Sequence, residues 1–117
     1  MAEPRLRAIE AGGRVVDDPT EEELHDLLSE MNLWHRYVIL ERCDLEPRSQ
    51  HYMQAYLNDD MSYQVEYRAG GPDQHYQTHI STPHELDRPK PVADLMMDWA
   101  HDRPGWRETT QWVPLRV

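Results

Sequence analysis

The sequence predicts an α+β domain, a largely antiparallel sheet of four to five strands with two amphipathic helices packed on one face. Three observations carry this reading. Two stretches repeat apolar residues at helical spacing, several stretches alternate with a period of two, and the connections between the alternating stretches are short. Strands joined by short turns run antiparallel, because a parallel crossover needs a dozen residues or more.

The first helix announces itself at Thr20-Glu21-Glu22-Glu23. This is a capping box, in which the threonine hydroxyl accepts from the amide of the third glutamate while that side chain reaches back. Three glutamates in the first turn also suit the positive end of the helix dipole. Leu24, Leu27, Leu28 and Met31 then form one apolar stripe, and the helix is expected to end near Asn32.

Strands follow at 37–40, 52–57, 61–68 and 74–81. Asn58-Asp59-Asp60 reads as a three-residue hairpin loop with Leu57 opposite Met61. That pairing puts Met53, Ala55, Leu57, Met61, Tyr63, Val65 and Tyr67 on one face, and Tyr52, Gln54, Tyr56, Gln64, Glu66 and Arg68 on the other. A slip of one residue would mix the two sets, so the apolar pattern selects the register. Gly70-Gly71-Pro72-Asp73 turns the chain again, after which Tyr76, Thr78 and Ile80 point inward and His75, Gln77 and His79 outward.

Thr82-Pro83-His84-Glu85 resembles a helix start, but Pro89 and Pro91 interrupt it. The second helix is therefore expected to begin near Pro91, a position in the first turn that proline favours. Val92, Leu95, Met96 and Trp99 repeat the stripe, Arg103-Pro104-Gly105 ends it, and a last strand is expected at 107–113. Trp99 belongs to the core on this reading, while Trp34, Trp106 and Trp112 seal the layer edges. Residues 1–13 read as a flexible N-terminal arm, within which 5–10 would pair as an edge strand and Ala11-Gly12-Gly13 would turn into Arg14-Val15-Val16. Residues 14–117 read as the single α+β domain.

Composition sets the bounds. Leu, Ile and Val without any Phe make up about 18% of the 117 residues, and the formal net charge is -10. A compositional rule with its line at about 20% would class such a chain as disordered. The 4 Trp, 6 Tyr and 6 Met decide against it, because they supply large buriable side chains at regular spacings. The single Cys43 cannot form an internal disulfide, no apolar block near the N-terminus reads as a signal peptide, and no run approaches a membrane span. A cytoplasmic protein is expected. One Lys against eleven Arg points to a GC-rich bacterial genome. The negative charge disfavours nucleic acid and anionic membranes and favours basic partners.

No cofactor or metal is expected. His75 and His79 share a face but lie four residues apart, about 13 Å at strand rise, and His51 or Glu66 would be needed to complete a site with either. No HxH, HExxH, CxxC, GxSxG or phosphate-loop spacing occurs. Asp59-Asp60 is turn chemistry. The outward sheet face admits two readings: tyrosine on a solvent-facing sheet is a residue type that anchors protein contacts, and it also serves ordinary cross-strand pairing of half-exposed aromatics.

The second half of the chain resembles the first numbered family of polymorphic-toxin immunity proteins, which includes inhibitors of deaminase toxins. The resemblance rests on Val65-Glu66-Tyr67-Arg68-Ala69-Gly70-Gly71-Pro72, on His75-Tyr76-Gln77-Thr78, on a helix over 92–101 leading into Arg103-Pro104, and on a closing strand around Trp112. The approach from Asp17 to Leu28 also fits, and Asp87-Arg88-Pro89-Lys90 departs as an addition before the second helix. The resemblance implies a protein that binds a cognate toxin domain tightly and blocks it without chemistry of its own. Many such toxins act on nucleic acid and carry basic clefts.

On this basis the expected function is inhibition of a basic protein toxin, by a monomer or weak homodimer, through Tyr52, Tyr56, Asp59, Asp60, Glu66, Asp73 and His75. The rival reading is a small enzyme or ligand-binding protein of bacterial secondary metabolism, with a site built from Tyr52, Glu66 and His75. An oligomerising accessory protein using the same tyrosines is a third.

Overall fold

The structure is a computed structural model that describes residues 3–81 and 87–115. Seven strands form one sheet: β1 (Leu6–Glu10), β2 (Val15–Asp17), β3 (Tyr37–Arg42), β4 (His51–Leu57), β5 (Tyr63–Ala69), β6 (His75–Ile80) and β7 (Val113–Pro114). Helix α1 (Glu21–Ser29) lies between β2 and β3, and α2 (Lys90–Ala100) between β6 and β7. The spatial order is β2-β1-β3-β4-β5-β6-β7, and every neighbouring pair is antiparallel.

The α+β class follows the sequence pattern, but the sheet is wider than four to five strands. The extra width comes partly from the N-terminal segment. Instead of an arm with an edge strand, β1 pairs with β2 on one side and β3 on the other. Leu6 and Ala8 are fully buried, which gives this strand a share of the core that an arm would not have. At the other end, the strand expected over 107–113 is reduced to β7. Residues 106 to 112 instead lay two tryptophans on the sheet. Tyr67 stacks on Tyr76 at 5.0 Å and meets Trp106 and Trp112 edge-on at 5.0 and 4.7 Å.

Both helices pack on one face of the sheet. Leu24, Leu27 and Leu28 of α1 and Val92, Leu95, Met96 and Trp99 of α2 join Val38, Leu40, Met53, Ala55, Leu57, Tyr63, Val65 and Tyr67 in one core. Each large apolar side chain so buried contributes about 1.5–3 kcal/mol relative to exposure. The Thr20 capping box is present in both directions, with Glu23 N–H donating to Thr20 Oγ1 at 3.1 Å and Thr20 N–H to Glu23 Oε1 at 2.9 Å. Helix α1 ends at Ser29, three residues earlier than expected. Helix α2 starts at Lys90 with Pro91 in its first turn. The helix-like segment at 82–85 lies outside the described residues.

The β4–β5 hairpin keeps the predicted faces with a shifted partner. Leu57 faces Tyr63, not Met61, so the loop runs from Asn58 to Ser62. A shift of two preserves the alternation, which is why the face assignment survives. Met61 leaves the strand and adopts a φ of 69°, with its N–H on the Asn58 carbonyl at 2.9 Å. At the opposite end of β5, Gly70 sits at φ 111°, a conformation that favours glycine.

Candidate functional site

With both helices and the C-terminal segment on one side, the other face of the sheet carries no described element. Its side chains form cross-strand rows. One row runs Asp17, Arg7, Glu41, Tyr52, Arg68 and His75 from β2 to β6. The next runs Val15, Ile9, Ile39, Gln54, Glu66, Gln77 and Val113. A third holds Tyr37, Tyr56, Gln64 and His79. Over β2, β1, β3 and β4 the face thus sets Val15, Ile9, Ile39, Tyr37, Tyr52 and Tyr56 beside the charged residues Asp17, Arg7 and Glu41, and over β5 and β6 it is polar.

The polar half is a closed hydrogen-bonded network. Arg68 Nη1 donates to Gln50 Oε1 at 2.9 Å and Arg68 Nε to His75 Nδ1 at 3.1 Å. A guanidinium can only donate, so Nδ1 accepts and the His75 proton resides on Nε2. Nε2 in turn donates to Glu66 Oε1 at 2.9 Å, and Glu66 Oε2 accepts from Gln64 Nε2 at 3.2 Å. The Tyr52 ring meets His75 edge-on at 6.0 Å and lies under the Arg68 guanidinium at 5.7 Å. His75 points outward as predicted, yet its side chain is only 3% exposed, because these neighbours cover it. For His75 to take or give a proton in a reaction, the Arg68 or Glu66 bond would first have to break.

The seven residues expected to form one interface thus fall into three places. Tyr52, Glu66 and His75 come together around Arg68. Tyr56, Asp59 and Asp60 gather at the β4–β5 turn. Asp73 lies in the short 3-10 turn over Pro72–Gln74, at the far end of β5. Seven strand residues separate the two ends by roughly 20 Å. The two turn aspartates also differ in role. Asp59 is exposed and pairs with Arg36 Nη1 at 2.7 Å, and Arg36 also lies over the Tyr56 ring at 5.9 Å. Asp60 accepts the Ser62 amide at 3.0 Å and the Ser62 hydroxyl. The Ser62 hydrogen bonds hold the Asp60 carboxyl below its ordinary pKa. Asp60 therefore builds the turn.

The face is also less acidic than expected. Asp17, Glu41 and Glu66 are set against Arg7 and Arg68 in these rows, so its charge nearly cancels. The negative charge concentrates on the helix side, where Glu21, Glu22, Glu23, Asp26 and Glu30 follow one another in α1 and its cap with no Lys or Arg between them. An amphipathic helix must place its charged residues away from the core, and α1 does so on the layer opposite the open face.

Sequence reasoning placed Arg68 on the outer face without giving it a role and passed over Arg36, the two residues that organise the clusters, together with the apolar pair Ile9 and Ile39. The signal for Ile39 was present, since Val38 and Leu40 point inward and their neighbours must point out. The two guanidiniums carried no spacing signal; only the register brings Arg68 against His75 and Arg36 against Asp59.

Other reactive groups offer little chemistry. Cys43 is buried, and burial together with the Glu41 carboxylate pushes its thiol above the ordinary value. Among the described residues no group of three His, Cys, Asp or Glu is placed to hold a metal ion. The described clefts lie on the helix side and around the C-terminal segment, lined by residues such as His25, Asp94 and Met97 or Ile80, Leu95 and Thr110. Among the described residues no helix is long and apolar enough to cross a membrane. Comparison with protein-family models, curated proteins and solved structures finds no match to the chain.

Proposed function

We propose that this protein is a cytoplasmic immunity-type inhibitor that binds a basic bacterial toxin domain through the open face of its sheet. The observation that carries the reading is the uncovered face itself, a seven-stranded surface bearing Tyr37, Tyr52 and Tyr56 beside Ile9, Ile39 and Val15. Val15 is 52% exposed and Tyr56 36% exposed. Aromatic residues with a polar surround are the composition of a protein interface, and the network around Arg68 holds Tyr52 in place before a partner arrives. Charge plays a second, separate part. The acidic α1 layer lies away from the face, so it raises encounter rate with a cationic partner through the long-range field and does not make the contacts. The resemblance to immunity proteins supports the same reading.

The test is co-expression with the product of the adjoining gene. If that product is toxic to cells, this chain is expected to restore growth and to co-purify with it. Restored growth should be lost in the double variant Y52A/I39D, whose substitutions lie on the open face and leave the helix-side core untouched. Killing that proceeds unchanged in the presence of the wild-type protein, with no complex recovered, would end the proposal.

A further inference from the structure

Six large hydrophobic residues are exposed among the described residues, and four of them, Leu33, Trp34, Tyr56 and Met61, gather at one end of the molecule. Trp34 is 90% exposed, against the expectation that it seals a layer edge. Its turn is nonetheless firmly built. Asn32 and His35 exchange backbone hydrogen bonds at 3.0 and 3.1 Å, with Leu33 and Trp34 at the tip. Asn32 Oδ1 accepts from the amides of Trp34 and His35 at 2.8 and 3.0 Å, and Arg36 Nε donates to the Leu33 carbonyl at 3.1 Å. The indole contributes to none of these bonds, so the turn presents it without needing it.

Arg36 joins this tip to the β4–β5 turn. Besides Leu33 it contacts Asp59, the Leu57 carbonyl at 3.4 Å and the Tyr56 ring. On that second turn Met61 occupies a left-handed conformation where glycine is the usual residue, and it is 41% exposed. A strained backbone carrying an exposed apolar side chain is retained at a cost, and such outliers concentrate at functional positions. Beside the tip the carboxylates are already engaged, Asp59 by Arg36 and Asp60 by Ser62.

We infer that the two turns form the anchor of the protein interface, with Trp34 inserting into an apolar socket on the basic partner. This rests on the binding function proposed above and deepens it by naming where the contact energy concentrates. Trp, Tyr, Met and Arg are the residue types enriched at interfaces, and Trp, Tyr and Arg dominate their hot spots. The occupant is a basic protein and not a bilayer, because the net charge of -10 attracts cationic partners and repels anionic headgroups. The anchor is continuous with the open face through Tyr56.

The test measures the affinity of wild-type protein, W34A, M61A and a helix-side control, H25A, for the purified product of the adjoining gene. Trp34 makes no core contact, so W34A should melt with the wild type. Its Kd should rise at least 100-fold, mostly through faster dissociation, while H25A stays within threefold. Sedimentation of each protein alone, and titration with phosphatidylglycerol and phosphatidylcholine vesicles, complete the set. A tight wild-type complex left unchanged by W34A overturns the anchor and leaves the binding function standing. No complex with wild-type protein overturns both. A homodimer that W34A dissociates, or vesicle binding that W34A abolishes, assigns the tip to a different occupant and overturns the proposal.

Discussion

Individual side chains in this protein are distinguished less by type than by what surrounds them. His75 and His79 look equivalent on β6, yet His75 is enclosed by Tyr52, Arg68 and Glu66, while His79 donates from Nε2 to the buried Ser62 hydroxyl at 2.8 Å. The Ser62 hydroxyl has one proton, given to Asp60, so the His79 tautomer follows from donor counting. Cys43 shows the same dependence on setting. Its burial and its position near Glu41 oppose the thiolate, which is the reactive form. In native protein at pH 7.5 a thiol reagent should modify Cys43 at least tenfold more slowly than in denatured protein. The native rate should climb with pH beyond the range where an ordinary thiol has already saturated. Fast native reaction at neutral pH would show that the thiol is activated.

Elements were legible wherever local pattern and tertiary demand agreed. Helix α1 was marked by its capping box and stripe, and both are realised. Replacing Thr20 with alanine leaves the Glu23 amide without its side-chain acceptor and should cost about 1 kcal/mol, read as a fall of a few degrees in Tm. An unchanged Tm would mean that α1 is held by packing alone. The faces of β4, β5 and β6 were legible for a related reason, since alternation survives any error of two residues. What alternation does not encode is loop length. The β4–β5 loop is closed by Asn58, Asp60 and Ser62, and Met61 in a left-handed conformation is a choice no propensity would make. The closing strand failed in the opposite direction. Trp112 was read as a strand residue, but filling the space over Tyr67 together with Trp106 outweighed extending the ladder. The N-terminal strand was underweighted because Leu6 and Ala8 give only a weak pattern; their burial depends on β3 lying alongside.

At the scale of the whole molecule, two properties that seemed to describe one surface belong to opposite ones. The aromatic and apolar face is nearly neutral, and the acidic ridge is on the helix layer. Sequence alone supplies a total charge and a list of outward residues; which side each occupies depends on how α1 packs. On the proposed function, the division gives the two surfaces separate work, contact on one and attraction on the other. Side-chain oxidation footprinting of the complex with the adjoining gene's product tests this most directly, because it reports tyrosine exposure one residue at a time. The account predicts that Tyr37, Tyr52 and Tyr56 lose reactivity on binding while His25, His101 and Trp106 of the helix side keep theirs. Protection confined to the helix side, with the three tyrosines as reactive as in the free protein, would contradict it.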